Sequence, residues 1–133
     1  MRNLENMTKY RVYMPDLKCW IIGNLFVDDG ICYIYTNSSE RWYISHDNTI
    51  TIGKMIGKKD ICDKDIFEGD ILICVDKNTF ISKMGVVVWN DETMSFDIND
   101  NQGNKICNAW TQCDLKIVGD KYFDSGILKH NFK

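Results

Sequence analysis

Polar turns interrupt this chain so often that no apolar stretch has room for more than one short strand. The clearest interruption is Asp28-Asp29-Gly30, between the apolar runs 19–27 and 31–36. Asp-Gly readily supplies positive φ, so a hairpin is expected there. Pro15-Asp16 predicts an earlier turn, because proline fixes φ and aspartate bonds to its own following backbone. Gly23-Asn24 marks a bulge inside the first run, and further strands are expected over 9–14, 41–44 and 49–52. In the second half, 71–75 and 84–89 are unbroken apolar runs. Such runs predict strands covered on both faces, or an outer face covered by a partner chain. Residues 94–98 alternate cleanly, and 105–110 and 115–118 hold two more short strands. Only 121–128 suits a turn or two of helix, and Gly126 weakens even that. No internal repeat is present, and the pattern is that of a small barrel or sandwich.

With 133 residues the chain is one domain, or two small lobes meeting at the least apolar joint, 53–59. It buries enough surface to fold without a disulfide or a metal. The net charge of −3 argues against a phosphate-gripping protein. Lys54, Lys58, Lys59 and Lys64 do cluster, but Asp60, Asp63 and Asp65 sit among them, as in a solvated loop of mixed charge. Of the six cysteines none forms Cys-x-x-Cys, and neither His46 nor His130 stands at ligand spacing from one. No metal site is expected, and the cysteines read as small reduced hydrophobes, Cys74 above all. The first residues lack the apolar core of a signal peptide, and no stretch is long enough to cross a bilayer. A cytoplasmic protein with no membrane partner is expected.

The densest pattern is the run 57–70, a polar turn feeding Phe67-Glu68-Gly69-Asp70 and then a strand. A chain entering a strand from a corner needs positive φ, which Gly69 takes at no steric cost. Asp70 can accept backbone amides and hold the corner shut, and Glu68 can pair with a lysine or cap a turn. The same two carboxylates would need convergent geometry to hold a cation or act as an acid/base pair, and the structural reading ranks above that one. No nucleophile elbow, zinc helix or phosphate loop is present. Ser45-His46-Asp47 are neighbours that cannot point at one another. No catalytic residue and no cofactor are therefore expected. Trp20 and Trp89 lie in apolar runs and read as core, whereas Trp42 and Trp110 are flanked by polar residues and read as interface aromatics.

Ile56, Gly57, Lys59, Asp60, Ile66, Phe67, Glu68, Gly69 and Asp70 also fall in order on the central pattern of the YopX family of phage-associated proteins. Arg11-Val12-Tyr13-Met14-Pro15-Asp16 resembles the family's opening strand and turn. Gly85-Val86-Val87-Val88-Trp89 is similar to its Gly-x-Val-x-Trp, and 116–122 to its closing pattern. The family's usual Asn-Gly turn is replaced by Cys62-Asp63, so a non-glycine residue must take positive φ or another turn is used. Residues 32–52 carry no family pattern.

The resemblance implies a mainly β fold: a small partly open barrel, SH3-like in the C-terminal half (56–133), with an N-terminal β segment (1–55) packed on it. It also implies a phage or prophage accessory protein of unassigned function in the cytoplasm of a bacterial host. Together with the absence of catalytic motifs, this gives a non-enzymatic β module that self-assembles or binds a host or phage protein. The alternative is a nucleic-acid-binding accessory. Gly57, Asp60, Ile66, Phe67, Glu68, Gly69, Asp70, Gly85 and Trp89 are then structural motif residues, and Trp42 and Trp110 the interface candidates.

Overall fold

The computed structural model describes residues 9–36, 40–45, 51–107 and 113–124. The described chain is mainly β, as expected, with two antiparallel sheets that do not close and no helix among the described residues. It divides into two compact units, Met1–Met55 and Ile56–Lys133.

The first unit contains β1 (Tyr10–Met14), β2 (Cys19–Asp28), β3 (Ile31–Tyr35), β4 (Arg41–Tyr43) and the start of β5 (Gly53–Lys59), in the order β4-β3-β2-β1-β5. Asp29 (φ 52) and Gly30 (φ 77) both take positive φ between the paired Asp28 and Ile31. That makes a two-residue turn whose twist matches its flanking strands. β2 pairs with β1 through 19–23 and with β3 through 24–28, with no break in either register. The bulge expected at Gly23-Asn24 is thus a change of partner instead. Gly23 permits it, because the Tyr35 carbonyl occupies the space a side chain would need. The period of two then sorts the side chains. Val12, Met14, Ile34 and Ile44 are buried together, with Ile21, Leu25 and Trp42 packed against them.

The second unit contains the rest of β5, β6 (Asp65–Phe67), β7 (Asp70–Asp76), β8 (Ser82–Asn90), β9 (Ser95–Asn99), β10 (Lys105–Cys107) and β11 (Cys113–Asp120). Its five-stranded sheet has the order β10-β9-β8-β7-β11, a meander to which the last strand returns beside β7. Ile66, Leu72, Cys74, Val87, Ile98 and Leu115 form its core. Ile71 and Leu72 are both fully buried, so β7 is covered on both faces, as its unbroken apolar run predicts. β8 differs: Gly85 and Val87 are buried, while Val86 and Val88 are only half-buried.

Two expectations change here. The strand expected over 49–52 is not formed at Thr51 and Ile52, and β5 follows instead on the stretch read as a joint. Two glycines and three lysines hide that strand from any propensity argument. Its ladder comes from β1, with Tyr10 opposite Lys54 and the Met55 amide donating to the Lys9 carbonyl at 2.8 Å. At the other end, 121–123 form a turn rather than helix. Residues 49–50 and 125–128 lie outside the described residues.

Candidate functional site

The motif residues build a corner. Asp60, 7% exposed, accepts the Cys62 and Lys64 amides on Oδ1, both at 2.9 Å, and the Ile117 amide on Oδ2 at 3.1 Å. Burial pushes its carboxyl up, but the three amides and the Lys64 charge outweigh that and hold it below the ordinary value of 3.8. Asp63 takes the left-handed position of this turn (φ 65), the first of the two alternatives left by the loss of the family's glycine. Ile66 and Phe67 are buried, and the Phe67 amide donates to Asp70 Oδ2 at 2.8 Å. Gly69 (φ 94) donates to the Val87 carbonyl at 2.9 Å and accepts the Lys121 amide at 2.8 Å. A Cβ on Gly69 would stand 3.0 Å from the Tyr122 ring. Gly57 takes positive φ beside open space, and Gly85 packs on the Asn99 backbone. Glu68 is half-buried and makes no ion pair or hydrogen bond among the described residues. The motif therefore works as a clasp. Among the described residues, no group of three or more His, Cys, Asp or Glu is placed to hold a metal.

Trp89 is not core. It is 36% exposed at the end of β8, one step beyond Val87 where the core stops. There its ring meets Phe96 edge-on at 5.0 Å and its Nε1 donates to Asp91 at 2.7 Å. Trp20 is half-buried with the Arg11 guanidinium 4.4 Å over its ring. Trp110, His46 and His130 lie outside the described residues.

The first unit carries what the sequence reading missed. On the outward face of β2, β3 and β4, Phe26 stacks on Tyr33 at 5.5 Å and tilts against Tyr35 at 4.7 Å. Tyr33 meets Tyr43 edge-on at 6.4 Å, and Arg41 lies 4.6 Å over the Tyr33 ring. Tyr43 is 61% exposed. These rings line up because Phe26 is opposite Tyr33, and Tyr33 opposite Tyr43, across neighbouring strands. They come from three separate strands, so the cluster is legible only once the register is known.

Trp42, the opposite-facing residue of β4, packs on the core and also borders a cavity of about 600 Å³. The cavity's other wall is the β1–β2 turn, with Met14, Pro15, Asp16 and Leu17. Tyr43 contributes to its rim. The Trp42 indole N–H is shielded from solvent and has no acceptor among the described residues. A cavity of this volume is of ligand-binding size.

A family model described as YopX protein matches residues 9–129, which is most of the chain. No curated protein matches.

Proposed function

We propose that this chain, which belongs to the YopX family, is a non-enzymatic accessory module that binds another protein through the β2–β3–β4 aromatic face. The observation that carries the reading is the Phe26, Tyr33, Tyr35 and Tyr43 cluster with Arg41 laid across it. Tyrosine and arginine are the side chains that concentrate binding energy at protein interfaces. Tyrosine also gives large contact area for little lost rotamer freedom. The second unit would serve as an SH3-like open barrel, a reading supported by the β7-β8-β9-β10 meander and the return of β11 to β7. A phage or prophage origin, action in the host cytoplasm and self-association belong to the same proposal.

Nucleic acid is the weaker reading for this face. Stacking platforms need open ring faces. Here Arg41 covers Tyr33, and Phe26 is engaged by two tyrosines, which leaves Tyr43 as the exposed ring. The test is capture from host lysate, with and without nuclease, using the native chain beside Tyr33→Ser and Arg41→Glu. A protein that survives nuclease and is lost in both variants supports the reading. Material that disappears with nuclease moves the function to nucleic acid. Recovery of the chain alone, with its assembly state unchanged in the variants, removes the face as an interface.

A further inference from the structure

We infer that β4 pairs edge to edge with β4 of a second copy of this chain, antiparallel, with Arg41 of each copy opposite Tyr43 of the other. The inference deepens the self-association in the reading above and rests on it.

The free edge is defined by the ladder that β4 already makes. The Thr36 amide donates to the Glu40 carbonyl at 2.9 Å, and the Ile44 amide to the Cys32 carbonyl at 3.0 Å. Antiparallel ladders alternate, so Trp42 also turns its backbone groups toward β3, whereas Arg41 and Tyr43 turn theirs away. β4 is the last strand of its sheet, so the N–H and C=O of both residues face no further strand among the described residues. The space beside this edge is open. Arg41 is exposed, Tyr43 more so, and the cavity borders Trp42 and Tyr43. Natural edges are guarded by proline, a bulge or an inward-pointing charge. β4 has none of these: its inward residue is Trp42, and its register with β3 is unbroken.

Self-complementarity names the occupant. Unpaired strand groups ask for another extended backbone. Within β4, the register that sets Arg41 opposite Tyr43 of the second copy, centred on Trp42, bonds every one of those groups. It is also isologous, as a two-fold pair requires. Setting Arg41 opposite itself uses the groups of Arg41 alone and faces like charges. Setting Tyr43 opposite itself uses only those of Tyr43. In the favoured register each guanidinium lies beside a tyrosine ring of the other copy, the kind of contact Arg41 already makes with Tyr33 at 4.6 Å. The aromatic face of β2, β3 and β4 then runs on across the join into the same face of the other copy. A strand of three residues keeps the association weak and reversible.

The test is amide hydrogen exchange on the ¹⁵N-labelled full chain at two concentrations, beside sedimentation equilibrium at the same two. At the higher one a dimer is expected, with the Arg41 and Tyr43 amides about fivefold or more slower to exchange than on dilution. The Trp42 amide, bonded to β3 in either state, should not respond. Tyr43→Val removes the ring and keeps the N–H. Tyr43→Pro removes both, at a position whose N–H takes no part in the native sheet. Proline should therefore weaken the dimer about tenfold or more beyond valine, with the Trp42 amide still protected. If proline unfolds β4 instead, the exchange pattern of the native chain decides alone. A chain that stays monomeric at millimolar concentration overturns the inference. So does a dimer whose Arg41 and Tyr43 amides exchange as fast as on dilution, or a folded proline variant that associates like the valine one. Protection of those amides without a dimer gives the edge to another segment of the same chain. Protection that appears only with host lysate gives it to a foreign strand, and either result overturns the second copy. Because Tyr33→Ser tests the outward face from β3, failure at this edge leaves the protein-binding reading standing.

Discussion

The Asp60 carboxylate and the Ile117 amide are joined at 3.1 Å across 57 residues of sequence. The same turn is tied to the same strand again, by the Ile61 amide donating to the Leu115 carbonyl at 2.8 Å. β11 is an outer strand of its sheet, and outer strands leave backbone groups unpaired. Asp60 and Ile61 occupy two of them.

Removing that carboxylate should therefore cost more than a surface change. Asp60→Ala leaves three amides without their acceptor and is expected to destabilise the chain by about 2–4 kcal/mol. Asp60→Asn keeps one oxygen but turns an NH₂ group toward a donor, so it should fall between alanine and the native residue. Urea unfolding checks the order, and an alanine variant as stable as the native chain would defeat the clasp.

The same carboxyl sets an acid limit. Asp60 and Asp76 are both held below the ordinary value of 3.8. For Asp60 the amides overcome burial. For Asp76 the Thr79 and Asn78 amides act at an exposed site. A depressed folded value means the unfolded chain binds the proton more tightly. The stabilisation is then fully present above the ordinary carboxylate value and is lost as pH falls through the lower folded values. Urea midpoints should hold steady on lowering the pH until that value is reached, then drop. The drop should be shallower in Asp60→Asn. An equal slope in the variant would show that Asp60 does not carry it.

Two turns of the second unit share one design. Asp60 and Asp100 each accept the amides two and four residues on, all at 2.9 Å, and each turn has positive φ at its fourth residue. That residue is Gly103 (φ 85) in one and Asp63 (φ 65) in the other. Asp63→Gly relieves a left-handed non-glycine residue and should raise stability by about 0.5–1 kcal/mol. It forfeits only the exposed Lys59–Asp63 pair at 3.8 Å, a contact of little worth. Gly103→Ala should lower stability by a similar amount, although its surroundings are open. Thermal unfolding of both variants decides, and a stabilised Gly103→Ala would break the analogy.

How much was legible depended on whether the cause was local. The turn at Asp29-Gly30 and the corner at Gly69 could be read, because positive φ is a property of the residues themselves. So could the covering of β7, which its apolar run demands. β5 could not, since its ladder is supplied by β1 rather than by its lysines and glycines. Trp89 was misplaced because its strand continues past the core that holds Val87. The aromatic face and the cavity escaped for a shared reason. Phe26, Tyr33 and Tyr43 meet only through pairing register, and Asp16 and Trp42 border one cavity only because the fold brings the β1–β2 turn and β4 to it.

The partner change at Gly23 makes the last prediction. A methyl group there would overlap the Tyr35 carbonyl oxygen and press the Tyr35 carbonyl carbon at 2.6 Å and the Thr36 amide at 3.2 Å. These are backbone atoms of the adjoining strand, so no side-chain rotation relieves them. Gly23→Ala is expected to cost more than about 3 kcal/mol and to open the β2–β3 ladder. Gly69→Ala meets only a tyrosine ring that can swing aside, although its φ of 94 still strains any side chain. Its cost should be smaller, about 1–3 kcal/mol. Amide hydrogen exchange separates the two. Gly23→Ala should lose protection at Leu25 to Val27 while Leu72 and Val87, in a core of their own, stay protected. Protection retained along β2 would mean that the strand can change partners without an empty Cβ position, and that Gly23 is not what sets the outward register of Phe26, Tyr33 and Tyr43.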